Sequence, residues 1–292
     1  MYDIVVIGNP VFHSNRLAGP SVYAAATAAK IGIEQLAVLS SVDQTKANEF
    51  ISGVDALDIP EYFLINSDRV RAVEFQNPSV NRRTSVVGFP AKISIREVPD
   101  EFLQTQAVLL SPSLQEITAE FVEWICSSTD ALVFLDPQLR GLNSAGRLEV
   151  IREFSVTEKT QSYLDVIKPN QLEAELITGE SDPYLAAELL VELASETCVI
   201  TLGKEGSLIY DGADFSTIPA YDTEEVDANG AGDVYLAAFA AQSIAGKPNI
   251  VSGAYASSIA SLKVENKALE FQIDENEVSR RSNLISSSVD TR

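Results

Sequence analysis

The segment Asp227-Ala228-Asn229-Gly230-Ala231-Gly232-Asp233 runs directly into an apolar helical stretch at 234–241. Two glycines separated by one alanine let the main chain turn tightly, so that N–H groups at a helix start can converge on an anion such as a phosphoryl group. Asp233 then stands where a carboxylate could take the proton of an attacking hydroxyl. A purely structural explanation also exists. Gly-Ala-Gly is common punctuation before a helix, and an aspartate in a first helical turn complements the helix dipole.

Two further corners carry related chemistry. Lys168-Pro169-Asn170-Gln171-Leu172-Glu173 leaves a short apolar run and opens a helix. Pro169 fixes the exit, Asn170 can cap the helix, and Glu173, three residues on, completes a capping box. Asn and Glu at the carboxyl end of a strand could also hold waters around a phosphate-bound Mg²⁺, a cation that keeps several waters. Thr201-Leu202-Gly203-Lys204-Glu205-Gly206 continues a strand into a glycine-bearing turn, which taken alone reads as an ordinary hairpin.

The elements that must position these corners emerge from apolar patterning. Tyr2-Asp3-Ile4-Val5-Val6-Ile7 is a short, β-branched run stopped by Gly8-Asn9-Pro10, as expected of a buried strand. The loop after this strand lacks Gly-x-Gly-x-x-Gly spacing, so it is not a dinucleotide fingerprint. Residues 21–31 form an alanine-rich helix closed by Gly32. Further strands are predicted at 36–39, 107–110, 132–135, 166–167 and 199–202, with helices at 117–127, 171–178, 184–194 and 254–264. This alternation predicts a parallel sheet with helices on both faces and a ligand outside the carboxyl ends of its strands. Residues 69–95 depart from it: two runs alternate polar with apolar residues around turn chemistry at 77–81. That pattern predicts an antiparallel excursion, either a lid or a plain surface hairpin. The stretch 274–288 is polar and reads as a surface helix fraying into a loose tail.

Composition narrows the function classes. The chain has 292 residues, 46% of them apolar, enough for a packed core. Its formal charge of −21 excludes a nucleic-acid or acidic-membrane partner, because phosphate backbones are held by clustered Lys and Arg. Arg82-Arg83 and Arg280-Arg281 are isolated pairs and read as solvated. The single histidine, His13, excludes a His pair or a Cys/His zinc cluster. Cys126 and Cys198 lie far apart in apolar settings and read as buried free thiols. No uninterrupted apolar run of about 18 residues and no leader pattern is present, so a soluble cytoplasmic protein is expected.

Taken in order, Ala18-Gly19, Asp136-Pro137-Gln138-Leu139-Arg140, the 168–173 and 201–206 corners and the 227–233 segment resemble the ribokinase-like (PfkB) family of carbohydrate and nucleoside kinases. The resemblance implies one α/β domain over 1–292, a three-layer αβα fold with a mainly parallel central sheet, and a small β lid at about 69–95. It implies phosphoryl transfer from ATP, with Mg²⁺, to a hydroxyl of a small polyol, sugar or inositol. By that likeness Asp233 is the catalytic base and Gly230, Ala231 and Gly232 form the anion hole. Asn170, Glu173, Thr201, Gly203, Gly206 and Asn229 match the nucleotide side, where Mg²⁺ is held through water near Glu173 and no residue ligates it directly.

Departures concern the acceptor. Asn229 stands where members commonly carry Thr, and the first loop, 8–19, is short and lacks the substrate-binding Asp of many members, offering His13, Ser14, Asn15 and Arg16 instead. Ala18-Gly19-Pro20-Ser21-Val22-Tyr23 lacks the Gly-Gly pair and Asn of ribokinases. Tyr23, Asp136-Pro137-Gln138, and Ser111-Pro112 followed by Glu116 are more similar to the inositol-kinase-like branch. Asn15, Gly19, Tyr23, Gln138 and Arg140 are the candidate acceptor contacts. Two alternatives remain. A nucleoside kinase would need an aromatic shelf, for which Phe75, Phe89 and Tyr23 are candidates; a weakly catalytic sugar- or nucleotide-binding regulator would have no need of Asp233. The expected partners are ATP and the hydroxyl substrate, with no nucleic acid or membrane, in a monomer or homodimer.

Overall fold

The computed structural model describes residues 1–13, 16–67, 73–76, 85–87, 92–142, 148–150 and 164–292. Strand β1 (Tyr2–Ile7) leads through a hairpin, β2 (Val11–His13) and β3 (Arg16–Ala18), into helix α1 (Pro20–Lys30), strand β4 (Leu36–Asp43), helix α2 (Ala47–Ala56) and strand β5 (Glu61–Ser67). Next come β6 (Val73–Gln76), β7 (Ser85–Val87), β8 (Thr105–Leu110), α3 (Ala119–Ser128), β9 (Leu132–Leu135), and the paired β10 (Arg140–Leu142) and β11 (Leu148–Val150). The remainder holds β12 (Leu164–Ile167), α4 (Gln171–Thr178), α5 (Pro183–Ala194), β13 (Ser195–Thr201), β14 (Ser207–Tyr210) and β15 (Phe215–Ile218). It closes with α6 (Ala231–Ile244), α7 (Asn249–Val264), α8 (Glu275–Ser286) and β16 (Asp290–Thr291).

Ten strands share one sheet in the order β16-β15-β14-β13-β12-β9-β8-β1-β4-β5. From β13 to β5 every pairing is parallel, while β14, β15 and β16 add antiparallel at one edge. Successive strand residues point to opposite faces. Ile4, Val6, Val38 and Leu109 therefore pack with residues of α1, α2, α6, α7 and α8. Val5, Ile7, Leu39 and Leu110 pack with α3, α4 and α5. Both faces being covered, the strands read as near-continuous apolar runs. This is the three-layer αβα fold with a mainly parallel sheet that the alternation predicts.

Strand order places the site. The chain passes from β1 to β4 and β5 on one side, then returns to β8, β9, β12 and β13 on the other, so β1 and β8 flank the switch point where a crevice opens. Buried Glu116 ties this end together: its carboxylate accepts the N–H groups of Asn9 (2.9 Å), Ser113 (2.6 Å) and Leu114 (2.8 Å). Burial pushes the Glu116 pKa up, against the lowering effect of those N–H donors. The Asn9 side-chain oxygen in turn accepts the Ser41 N–H at 2.8 Å, joining the exits of β1, β4 and β8.

Several expectations change on contact with the structure. The first loop is not merely short, since β2 and β3 form a hairpin that joins β6 and β7 in a second sheet of order β3-β2-β6-β7. Within the expected excursion at 69–95, β6 and β7 pair antiparallel, and residues 68–72, 77–84 and 88–91 lie outside the described residues, Arg82, Arg83 and Phe89 among them. The C-terminal stretch is anchored rather than loose. Asp274 caps α8 through the Asn276 N–H at 2.9 Å, and Phe215 and Arg292 exchange backbone hydrogen bonds at 3.0 Å. Arg281 is buried, with ion pairs to Glu265 (2.8 Å) and Glu277 (2.7 Å), so of the 280–281 pair only Arg280 is solvated. Cys198 is buried and Cys126 half-buried, both as free thiols.

Candidate active site

Helix α6 is apolar on every side, and Val234, Tyr235, Leu236 and Phe239 are all buried. It is buried within its helical layer between α1 and α7, so its first turn is fixed by packing rather than by solvent. Gly230 precedes it at φ 82°, and Asp233, only 7% exposed, occupies the first turn. N–H groups there have no carbonyl four residues back, which leaves a positive helix end. Gly230, Gly232 and Asp233 line a cleft of about 1350 Å³. Ala231 is placed differently from its expected role: it is absent from the cleft wall, and its N–H donates to the Ala228 carbonyl at 3.2 Å to close the turn.

Three strand-end residues converge on Asp233. After β9, the Asp136 carboxylate sits 2.8 Å from the Lys168 ammonium at the end of β12, both almost wholly buried. The Gln138 amide donates to Asp233 Oδ1 at 3.2 Å. Gln138 does so from φ 40°, a strained backbone setting for a non-glycine residue, held in part by its own N–H donating to Asp136 at 3.3 Å. A methyl group added at Gly232 would stand 3.2 Å from the Lys168 ammonium, so that charge lies against the start of α6. Burial alone would discharge Lys168, but Asp136, with Asp233 and Glu173 beyond it, offsets this and raises its pKa above the ordinary lysine value. The charged form of Lys168 is therefore favoured beside the helix end.

Tyr23 of α1 closes the other side. Burial, then the charges of Asp227 and Asp233, push its hydroxyl up to about 12, so the ring is a neutral wall. Its Cδ1 would lie 2.3 Å from a Cβ at Gly230, and only glycine combines that approach with φ 82° at low cost. Gly230→Ala is expected to lower stability by about 1–3 kcal/mol. By displacing Tyr23 or the turn, it should also cut turnover by on the order of ten- to a hundredfold. Thermal melts and steady-state rates check both.

The residues expected on the nucleotide side assemble around β12 and β13. Asn170 and Glu173 form the expected capping box, with the Glu173 N–H to Asn170 and the Asn170 N–H to Glu173 both at 3.0 Å. The Thr201 N–H donates to the Pro169 carbonyl at 3.0 Å, joining the two corners, and Asn170, Glu173 and Thr201 all line the cleft. Gly203 and Gly206 are not in its wall. They shape the turn instead, Gly206 at φ 102° accepting the Leu202 N–H at 2.8 Å on its carbonyl. Asn229 lines the cleft while its N–H and its amide donate to Asp227 Oδ1, at 3.0 and 2.8 Å. Carboxylate, amide and hydroxyl oxygens form this wall, the donor chemistry that suits a hydrated Mg²⁺. Among the described residues no group of three or more His, Cys, Asp or Glu could ligate a metal directly.

Of the acceptor candidates, Gly19, Tyr23 and Gln138 line the cleft with Asp233. Asn15 and the side chain of Arg140 lie outside the described residues, as do the side chains of His13 and Phe75. Arg16 and Glu270 face each other at the mouth, 3.8 Å apart and largely exposed. Glu116 is not part of the wall and serves the strand ends. Sequence reasoning gave no role to Lys168 or Asp136, because a lysine before Pro-Asn and an aspartate before Pro read locally as strand exits. It also passed over Lys263, although that residue is the one charge in the sequence of α7, NIVSGAYASSIASLKV, where an unaccompanied cation in a small-residue helix was a usable signal. No helix among the described residues is long and apolar enough to cross a membrane.

Comparison with known proteins agrees with this fold. A cytidine kinase of Thermococcus kodakarensis is 24% identical over 261 residues, 85% of this chain and 91% of that protein. Among solved structures, a pyrophosphate-dependent kinase of the ribokinase family, complexed with a pyrophosphate analogue and myo-inositol, superposes with a TM-score of 0.77 at 19% identity, covering 95% of this chain and 99% of the other. The ribokinase of Thermotoga maritima gives 0.75 at 21% identity, covering 97% and 100%. Residues 24–276 match the pfkB family carbohydrate kinases. The chain belongs to that family and is a phosphotransferase acting on hydroxyl groups.

Proposed function

We propose that this kinase transfers the γ-phosphoryl group of ATP to a hydroxyl of a small polyol, sugar or inositol, with Asp233 as the base. The observation that supports this most is a buried carboxylate in a cleft wall at the positive end of α6, beside the ion-paired Lys168 ammonium. In this reading Asp233 accepts the proton as the acceptor oxygen attacks phosphorus, and the bond to the β-phosphate oxygen breaks. The amides at the start of α6 and the Lys168 ammonium stabilise charge gathering on the transferred oxygens. Gln138 fixes the carboxylate rotamer by its 3.2 Å hydrogen bond. Mg²⁺, held through water near Asn170 and Glu173, would neutralise charge on the donor phosphates. The second sheet acts as a lid on one domain spanning the chain, excluding water when donor and acceptor are bound.

The acceptor class rests on the wall. Gln138, Asn48, Ser52 and Ser113 offer uncharged hydrogen-bonding groups, which suit a polyhydroxyl compound. A nucleoside is the second reading, favoured by the length of the match to the cytidine kinase and by the Tyr23 ring in the cleft. ATP consumption with Mg²⁺ and each of myo-inositol, ribose and cytidine decides between them. Turnover with a polyol or sugar but not cytidine is the expected outcome; turnover with cytidine alone supports the second reading, and none with any acceptor of either class defeats both.

A further inference from the structure

Lys263, near the C-terminal end of α7, is fully buried and is not itself part of the cleft wall. Its ammonium meets three oxygens: the Asp227 carbonyl at 2.6 Å, Asp227 Oδ2 at 3.1 Å and the Asn266 carbonyl at 3.4 Å. It also lies 5.9 Å from the centre of the Tyr23 ring, the ring that packs on Gly230. Asp227 is thus a junction. It accepts the Ala268 N–H at 3.0 Å and the Asn229 N–H at 3.0 Å, and its own N–H donates to the Val264 carbonyl at 3.0 Å. Burial works against the Asp227 charge, but the Ala268 and Asn229 N–H groups and the Lys263 ammonium hold its pKa down, at about 2. Ala268 reaches it from φ 47°, a left-handed setting that an L-residue adopts only at a cost.

A buried ammonium is expensive to desolvate, and removing it would leave a carboxylate and two carbonyls facing one another. We propose that Lys263 is a positioning residue: its tethered ammonium is the cation that locks the Asp227–Gly230 turn and Tyr23 beneath the phosphoryl site, so that turnover needs no free monovalent cation. The inference rests on the kinase reading of Gly230, Gly232 and Asp233. The oxygen cage around the ammonium is the right chemistry for a small monovalent cation, and the chain fills it with its own side chain. Opening the cage should therefore create a dependence on added cation that the native protein lacks.

The test uses the full chain with ATP, Mg²⁺ and whichever of myo-inositol, ribose or cytidine is turned over. Native turnover is expected to be unchanged, within about threefold, between a tetramethylammonium buffer and the same buffer with about 100 mM potassium or ammonium chloride. Lys263→Met should lower kcat by on the order of ten- to a hundredfold with KM for donor and acceptor nearly unchanged. Lys263→Ala should be similarly slow in tetramethylammonium and regain rate with potassium, ammonium or methylammonium. A folded Lys263→Met that keeps native kcat, or a Lys263→Ala that no small cation restores, overturns the proposal. Should neither variant fold, the native salt series decides alone, and a requirement for added potassium or ammonium overturns it. Asp233→Asn measured alongside separates the two ideas: if it turns over like the native chain, the reading of the phosphoryl site has failed, whatever Lys263 does.

Discussion

Asp233→Asn is expected to lower kcat by on the order of 10²–10⁴-fold while leaving KM and the fold nearly unchanged. Asparagine has the same shape and keeps an acceptor oxygen for the Gln138 amide, now 3.2 Å from Asp233 Oδ1, so the local geometry should persist. What is lost is the ability to take a proton and a favourable charge in the first turn of α6, the latter worth about 0.3–1 kcal/mol. Melting curves should therefore nearly coincide while turnover falls. If both kcat and the melting temperature dropped together, Asp233 would be structural rather than catalytic.

The second large effect is expected at Lys168. Lys168→Met leaves the Asp136 carboxylate buried without its 2.8 Å partner, a change that costs about 3–5 kcal/mol when one member of a buried pair is removed. It also takes away the positive charge beside Gly232, which should lower turnover by on the order of 10²–10³-fold. The two consequences can be separated. Lys168→Met combined with Asp136→Leu removes both charges, so much of the lost stability should return while the rate stays low. Recovery of rate along with stability would mean that the ion pair only supports the fold. Denaturant titration and steady-state kinetics on the single and double variants give the answer.

Sheet and helix layers were legible because both faces of the sheet are covered: the runs at 36–39, 107–110 and 132–135 lie inside β4, β8 and β9. The glycine corners were legible because each needs a backbone turn at a strand end. The hairpin of β2 and β3 was missed because three-residue strands carry too little period-two pattern to register, and their partner β6 is about 60 residues away. The buried charges were missed for a different reason. Lys168 reads locally as part of a strand exit and Lys263 as a lone cation in a small-residue helix, and only the long-range approach of Asp136 and Asp227 makes them tolerable inside. The role of Ala231 shifted because a tight turn consumed its N–H, a detail of hydrogen bonding that the string Gly-Ala-Gly does not contain. The acceptor contacts are the least legible part, because Asn15 and Arg140 sit in segments where sequence pattern fixes no geometry.

The proposed role of Asp233 depends on where the phosphoryl group and the acceptor sit, so the most direct measurement is a crystal structure of the protein with Mg²⁺, a non-hydrolysable ATP analogue and an acceptor that it turns over. The terminal phosphoryl group is expected at the N-terminus of α6, beside Gly232 and the Lys168 ammonium. One acceptor hydroxyl is expected within about 2.6–3.2 Å of the Asp233 carboxylate. A terminal phosphoryl group bound elsewhere, or an acceptor whose hydroxyls all lie out of reach of Asp233, would contradict it.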